Sequence, residues 1–159
     1  MSSLVVFFSQ TGNTKFVAEK IAEATGADVE EIREIEERSL KGMDYMRAGR
    51  DGMMKKKSKI QKAEKDPGDY DTIFVGSPVW GFNLCPAIRS YLSENQIQGK
   101  KIALFCTFDG MGDKKLYSSI RELTSDCEVV GELSVMEKEL KDKEKAKSKV
   151  SNWVAEVQG

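Results

Sequence analysis

The sequence predicts an α/β fold: a doubly wound, five-stranded parallel sheet with helices on both faces. Two observations predict it. Short apolar runs that lack a polar partner face recur along the chain, and helical periods of apolar residues separate them. A run without a polar face reads as a strand covered on both sides, and parallel neighbours need helical crossovers. At 159 residues the chain has the length of one domain, taken here as residues 1–159, with enough material for a real core.

The elements follow in order. Leu4 to Phe8 is the first run, and Asp28 to Ile32 is a more polar second one, suited to a sheet edge. Thr72 to Gly76, Ile102 to Cys106 and Val129 to Val135 supply the third, fourth and fifth. Between them, Val17, Ile21 and Ala24, then Leu84, Ile88, Tyr91 and Leu92, then Leu116, Ile120 and Leu123, and last Val150, Trp153, Val154 and Val157 repeat at helical spacing. The expected strand order is 2-1-3-4-5.

Composition removes several function classes. There is no histidine, so a Ser-His-Asp hydrolase is excluded and the commonest zinc ligand is missing. Cys85, Cys106 and Cys127 are odd in number and far apart, which fits buried thiols better than a disulfide framework or a CxxC site. The formal net charge of −1 gives no bias toward nucleic acid. The apolar runs fall far short of the roughly 20 residues a membrane span needs, and the N-terminus has no basic and apolar leader pattern, so a cytoplasmic location is expected. One segment stands out by charge: Ser39 to Asp66 holds nine basic and four acidic residues. A solvated face is the ordinary reading of such a run, and partner docking is the other.

Function in a doubly wound sheet belongs outside the C-terminal ends of the strands, where strand order reverses. The first loop there is Ser9-Gln10-Thr11-Gly12-Asn13-Thr14, between the first strand and the first helix. Ser9, Thr11 and Thr14 offer hydroxyls, Asn13 an amide, Gly12 a flexible backbone, and the helix start its free N–H groups. Together they suit a phosphate. The bland alternative is a helix cap without a ligand, but a cap needs one such residue and four stand here.

The kind of phosphate follows by elimination. Neither GxxxxGK[ST] nor GxGxxG occurs. A phosphatase loop would open with cysteine where Ser9 stands, and a phospho-accepting domain would end its third strand in aspartate where Gly76 and Ser77 stand. A monoester held by neutral donors remains.

The loop Ser9 to Thr14 resembles the (S/T)-x-T-G-x-T phosphate loop of flavodoxins position by position, and by its strand order the chain is similar to that family over its whole length. The resemblance implies a flavodoxin-like fold and non-covalent FMN. The phosphate would take side chains of Ser9, Thr11, Asn13 and Thr14 and the backbone of Gln10 and Gly12. The loop Ser77-Pro78-Val79-Trp80-Gly81-Phe82 is similar to the one that places an aromatic beside the isoalloxazine, with Trp80 in that role and an ordinary core tryptophan as the alternative. The peptide at Gly81 would turn its carbonyl toward the flavin N5–H on reduction, which a positive φ permits. Thr107-Phe108-Asp109-Gly110-Met111-Gly112-Asp113 resembles the loop at the pyrimidine edge. It lacks the usual second tyrosine or tryptophan, which leaves Phe108 or Met111 for the other ring face.

By the same resemblance the protein is an electron carrier, expected as a monomer, that passes electrons between a reductase, a ferredoxin or another iron-sulfur protein and an acceptor. An NAD(P)H-dependent FMN or quinone reductase and a non-redox binding module are the alternatives. The family is usually strongly acidic; the near-neutral charge and the basic segment between the second and third strands imply a different partner surface.

Overall fold

A computed structural model describes residues 2–39, 41–95 and 97–159. Leu40, within the charged segment, lies outside them. Five strands form the parallel sheet: β1 (Ser3–Phe7), β2 (Asp28–Glu31), β3 (Thr72–Trp80), β5 (Lys101–Phe108) and β6 (Glu128–Met136), with a short β4 (Asn83–Leu84) between the third and fourth of them. Their order is β2-β1-β3-β5-β6, which is the expected 2-1-3-4-5 once the short strand is set aside.

The apolar runs lack a polar face because both faces of the sheet are buried. Alternate residues of a strand point to opposite sides. Leu4, Val6, Ile73, Val75, Ile102 and Leu104 go to one side, where they meet Leu84, Ile88 and Tyr91, then Leu116 and Ile120. These come from the β4 region with α3 (Pro86–Glu94) and from α4 (Asp113–Leu123). Val5, Phe7, Phe74, Ala103 and Phe105 go to the other side, against Val17 and Ile21 of α1 (Asn13–Thr25) and Val150, Trp153 and Val154 of α5 (Lys143–Gln158). Gly76 lies where a Cβ would enter the Phe105 ring, so this strand position has room for no larger side chain.

Two parts differ from the expected elements. The charged segment between β2 and β3 contains a helix, α2 (Met43–Met53). Its base is closed by residues 33–35 pairing with 59–61: Ile35 N–H donates to the Lys59 carbonyl at 2.9 Å and Gln61 N–H to the Arg33 carbonyl at 2.8 Å. The basic run is thus a folded insertion as well as a charged surface. Second, β3 does not stop at Gly76. It continues to Trp80 and turns back, Val79 pairing with Leu84 and Trp80 with Asn83 in antiparallel register.

The two turn residues of this hairpin, Gly81 and Phe82, have φ of 56° and 64°. Positive φ at both central positions is the geometry of a type I′ turn, which favours asparagine and glycine. Phenylalanine there carries the steric cost of the left-handed region, and its side chain is exposed. Phe82→Asn should therefore stabilise the fold by about 1 kcal/mol, since asparagine tolerates that region and little buried area is lost. Urea unfolding of both proteins, read by circular dichroism, checks this; an unchanged or lower midpoint would contradict it.

Candidate functional site

The C-terminal ends of β1, β3 and β5 meet α2 around one cleft of about 190 Å³. Its lining comes from all three predicted loops: Gln10, Thr11, Asn13 and Thr14; Pro78, Val79, Trp80 and Gly81; Thr107, Phe108 and Asp109. Six further residues complete it: Arg38, Ser39, Tyr45, Ala48, Gly49 and Glu137. Eight of the expected residues stand outside the lining. Ser9 and Gly12 belong to the first loop but sit beside the cleft. Ser77 is fully buried under the hairpin, where its hydroxyl donates to the Pro78 carbonyl at 2.8 Å and accepts from Cys85 N–H at 3.3 Å. Asp113 opens α4 and accepts from the Ser134 hydroxyl at 2.8 Å. Phe82 and Met111 are exposed, and Gly110 and Gly112 shape the backbone on either side of Met111 with φ of 128° and 95°.

At the first loop, Gly12 is the N-cap of α1 with φ 96°, and no side chain caps the helix. The first N–H groups of α1 therefore have no side-chain acceptor. Gly12 N–H is spent on Ser9 Oγ at 3.1 Å, which leaves the Ser9 hydroxyl hydrogen available. The Gln10 side-chain amide donates to the Arg38 carbonyl at 2.7 Å, which ties that side chain to Arg38 and leaves the Gln10 backbone N–H for a ligand. Buried Thr14 and Thr107 share a hydroxyl hydrogen bond of 2.7 Å. One hydrogen serves that bond, and the other hydroxyl hydrogen is free to donate.

The hairpin wall is built around Trp80. Its ring is half-buried, meets Phe8 edge-on at 5.5 Å, and has the Arg38 guanidinium 5.2 Å from its centroid. Arg38 is held by a bidentate contact to Glu34, at 2.8 and 3.0 Å, and by Asp51 of α2 at 2.9 Å. The hydrogen bond to Glu34, opposed by burial and helped by Asp51, raises the Arg38 pKa above its ordinary value. Burial pushes the Asp51 carboxyl upward, but bonds from Arg38 and then Arg50 outweigh it and hold the group below the usual carboxylate range. Behind this wall α2 touches the hairpin backbone directly. A Cβ on Gly52 would collide with the Trp80 carbonyl, and one on Gly81 with the Gly49 carbonyl.

The opposite rim carries two carboxyl groups, Asp109 and Glu137. A hydrogen bond with Asp109 raises the Glu137 pKa, with burial and the Asp109 charge adding to it. The thiols lie away from the cleft: Cys85 and Cys106 are buried, and burial pushes each up to about 11, while Cys127 is half-buried instead of fully buried as expected.

A doubly wound α/β sheet with an uncapped, glycine-led helix start and an aromatic cleft at its switch point is the arrangement of the flavodoxin-like class. The flavodoxin family model matches residues 2–157, and the chain belongs to that family. Among solved structures, a candidate flavoprotein from Bacteroides uniformis is similar over 97% of this chain and 97% of its own, with 19% identity and a TM-score of 0.81. A flavoprotein from Lactobacillus acidophilus, solved in complex with FMN, has 24% identity and a TM-score of 0.70, covering 88% of this chain and 96% of its own. Oxidised flavodoxin 2 from Bacillus cereus has 20% identity and a TM-score of 0.67, covering 99% and 98%. No curated protein matches the sequence. Among the described residues no helix is long and apolar enough to cross a membrane.

The carboxyl pair gives a pH test. Because the folded pKa of Glu137 is raised, its contribution to stability is full below the unfolded value and is lost as pH rises through the folded one. Glu137→Gln should raise the melting temperature at pH 8, where the wild-type pair repels, and leave it unchanged at pH 3. Thermal melts at the two pH values check this, and an equal shift at both would remove the pair as its cause.

Proposed function

We propose that this protein binds FMN in the cleft and works as a cytoplasmic carrier of single electrons between redox proteins. The observation that carries the reading is the first loop: an uncapped helix start beside Ser9, Thr11, Asn13 and the Thr14–Thr107 hydroxyl pair, with no arginine or lysine among those donors. Such a set fits a terminal phosphate monoester. Lys15, next in sequence, is turned to Glu31 at 3.7 Å. Bound there, FMN supplies the redox chemistry, and the protein supplies position and electrostatics.

Each wall has a separate task in this reading. Trp80 offers the flat face for the ring, fixed from behind by Phe8 and Arg38. Tyr45 of α2 is the exposed aromatic on the lining and joins Phe108 as a candidate for the second face; Met111 lies outside the lining. The Trp80 carbonyl lies against Gly52 of α2, so presenting it to a ring nitrogen would require the Trp80–Gly81 peptide to turn, which a glycine at position 81 permits. The cleft is smaller than the roughly 300–1,000 Å³ usual for ligand pockets, so a flat ring would keep an edge in solvent, as transfer to a protein requires. No histidine is present to relay protons, which favours a carrier over a quinone reductase.

Acid extraction of the purified protein followed by chromatography should yield FMN; recovery of FAD, or of no flavin after reconstitution, would sink the proposal. Potentiometric titration should resolve two one-electron steps, whereas a single two-electron step with rapid NAD(P)H turnover would point to the reductase. Trp80→Ala should weaken FMN binding by about 1 to 3 kcal/mol through lost contact and stacking. Fluorescence titration of the apoprotein measures it, and an unchanged dissociation constant would make Trp80 a packing residue only.

A further inference from the structure

We propose that the outer face of α2, continued across the Gly81–Phe82 turn to Met111, is the docking surface for an acidic electron-transfer protein. The proposal rests on the FMN-carrier reading and specifies its partner.

The surface is assembled from three segments that touch. Gly81 packs on the backbone of α2: a Cβ there would lie 2.9 Å from Met53 N. On its other side, a Cβ on Gly112 would lie 2.7 Å from the Phe82 Cα. Met53, Phe82 and Met111 therefore stand on contiguous backbone, and each is more than half exposed. From Met53 the apolar stripe runs back along α2 through Met46 to Met43, also exposed, at helical spacing. Tyr45, Ala48 and Gly49 of the same helix line the cleft, so the stripe borders the site where electrons would leave.

This is an inverted helix. Its one buried residue, Gly52, faces the protein, and its methionines face water. Methionine is flexible and adapts to more than one surface, a common feature of recognition faces. Phe82 adds a second unusual choice, an exposed aromatic in a backbone region that favours asparagine or glycine. Strain held at an exposed position points to a role outside folding.

Charge selects the occupant. Residues 41–57 hold six basic residues and two acidic ones. Asp44 is engaged by Arg47 at 3.7 Å; Asp51 is engaged by Arg50 at 3.1 Å and by Arg38. Lys41, Lys55 and Lys57 make no ion pair among the described residues. The stripe is thus apolar at its centre and basic at its rim, complementary to an acidic partner. The carboxyl groups of Asp109 and Glu137 are on the far rim of the cleft. A membrane surface fits less well, because an eleven-residue helix with methionines but no tryptophan or leucine is a weak anchor.

The test uses the FMN-loaded protein and two probes, a reduced acidic [2Fe–2S] ferredoxin as donor and basic cytochrome c as acceptor, in anaerobic stopped flow. The ferredoxin rate should fall about tenfold between low and high ionic strength, and the cytochrome rate should not. The pair Arg47→Glu and Lys57→Glu should slow the ferredoxin reaction about tenfold at low salt. The pair Lys145→Glu and Lys147→Glu, with the same charge change on α5, should alter it less than twofold. Equal slowing by both pairs, or a ferredoxin rate that rises with salt, would overturn the docking surface. Sedimentation with anionic phosphatidylglycerol vesicles that is abolished by the α2 pair, together with an unaffected ferredoxin rate, would overturn it in favour of a membrane. The flavin absorption spectrum separates the two levels: a protein without bound flavin fails the carrier reading before any probe is added.

Discussion

The approach of α2 to the end of β3 is the constraint on which the cleft depends. A helix seldom lies with its backbone against the backbone of a strand, because Cβ atoms hold the two apart. Here Gly52 on the helix and Gly81 on the hairpin remove the Cβ atoms at the points of contact. The cleft gains a second wall as a result. Without that wall, Trp80 would face open solvent at the top of the sheet.

Glycines permit this contact but do not fasten it, and glycine inside a helix costs roughly 1 kcal/mol relative to alanine. Fastening comes from Arg38, which joins Glu34, Asp51 and the Trp80 ring through one planar group. Glu34 is buried, so losing Arg38 would strand a carboxylate in the interior, a cost of a few kcal/mol. The same network consumes the arginine's charge. Two carboxylates surround it, so the cleft gains no net cation from Arg38, and the phosphate end keeps its neutral donors.

How much of this was legible in the sequence depended on whether each feature is local. The five parallel strands were, because burial on both faces removes polar residues from a continuous run such as Ile102 to Cys106. The first loop was, because its donors are adjacent in sequence. Helix α2 was not: Met43, Met46 and Met53 point outward, while Gly49 and Gly52 break the helix propensity that would have marked it. The hairpin was hidden for a related reason, since Gly81-Phe82 is an unusual pair for a tight turn. Arg38, Tyr45 and Glu137 reach the cleft from segments far apart in sequence, and only Gly52, costly in a helix unless something lies close, hinted at the contact.

The division between sheet and insertion also sets where the molecule can respond to a ligand. The strand ends are fixed by a core buried on both sides. Helix α2 has one buried residue, Gly52, and is held by backbone contact and ion pairs. Elements with so little buried apolar surface open at lower free energy than the core around them. A ligand lying between Trp80 and the Tyr45 side of the cleft would touch both and so bind only the docked helix. Mass action then makes the docked state more populated as the ligand binds. Because the Met43–Met53 stripe is the outer side of that helix, a ligand in the cleft would be coupled to the surface beside it. On the docking proposal, a partner that reads the stripe would then also read whether the site behind it is filled.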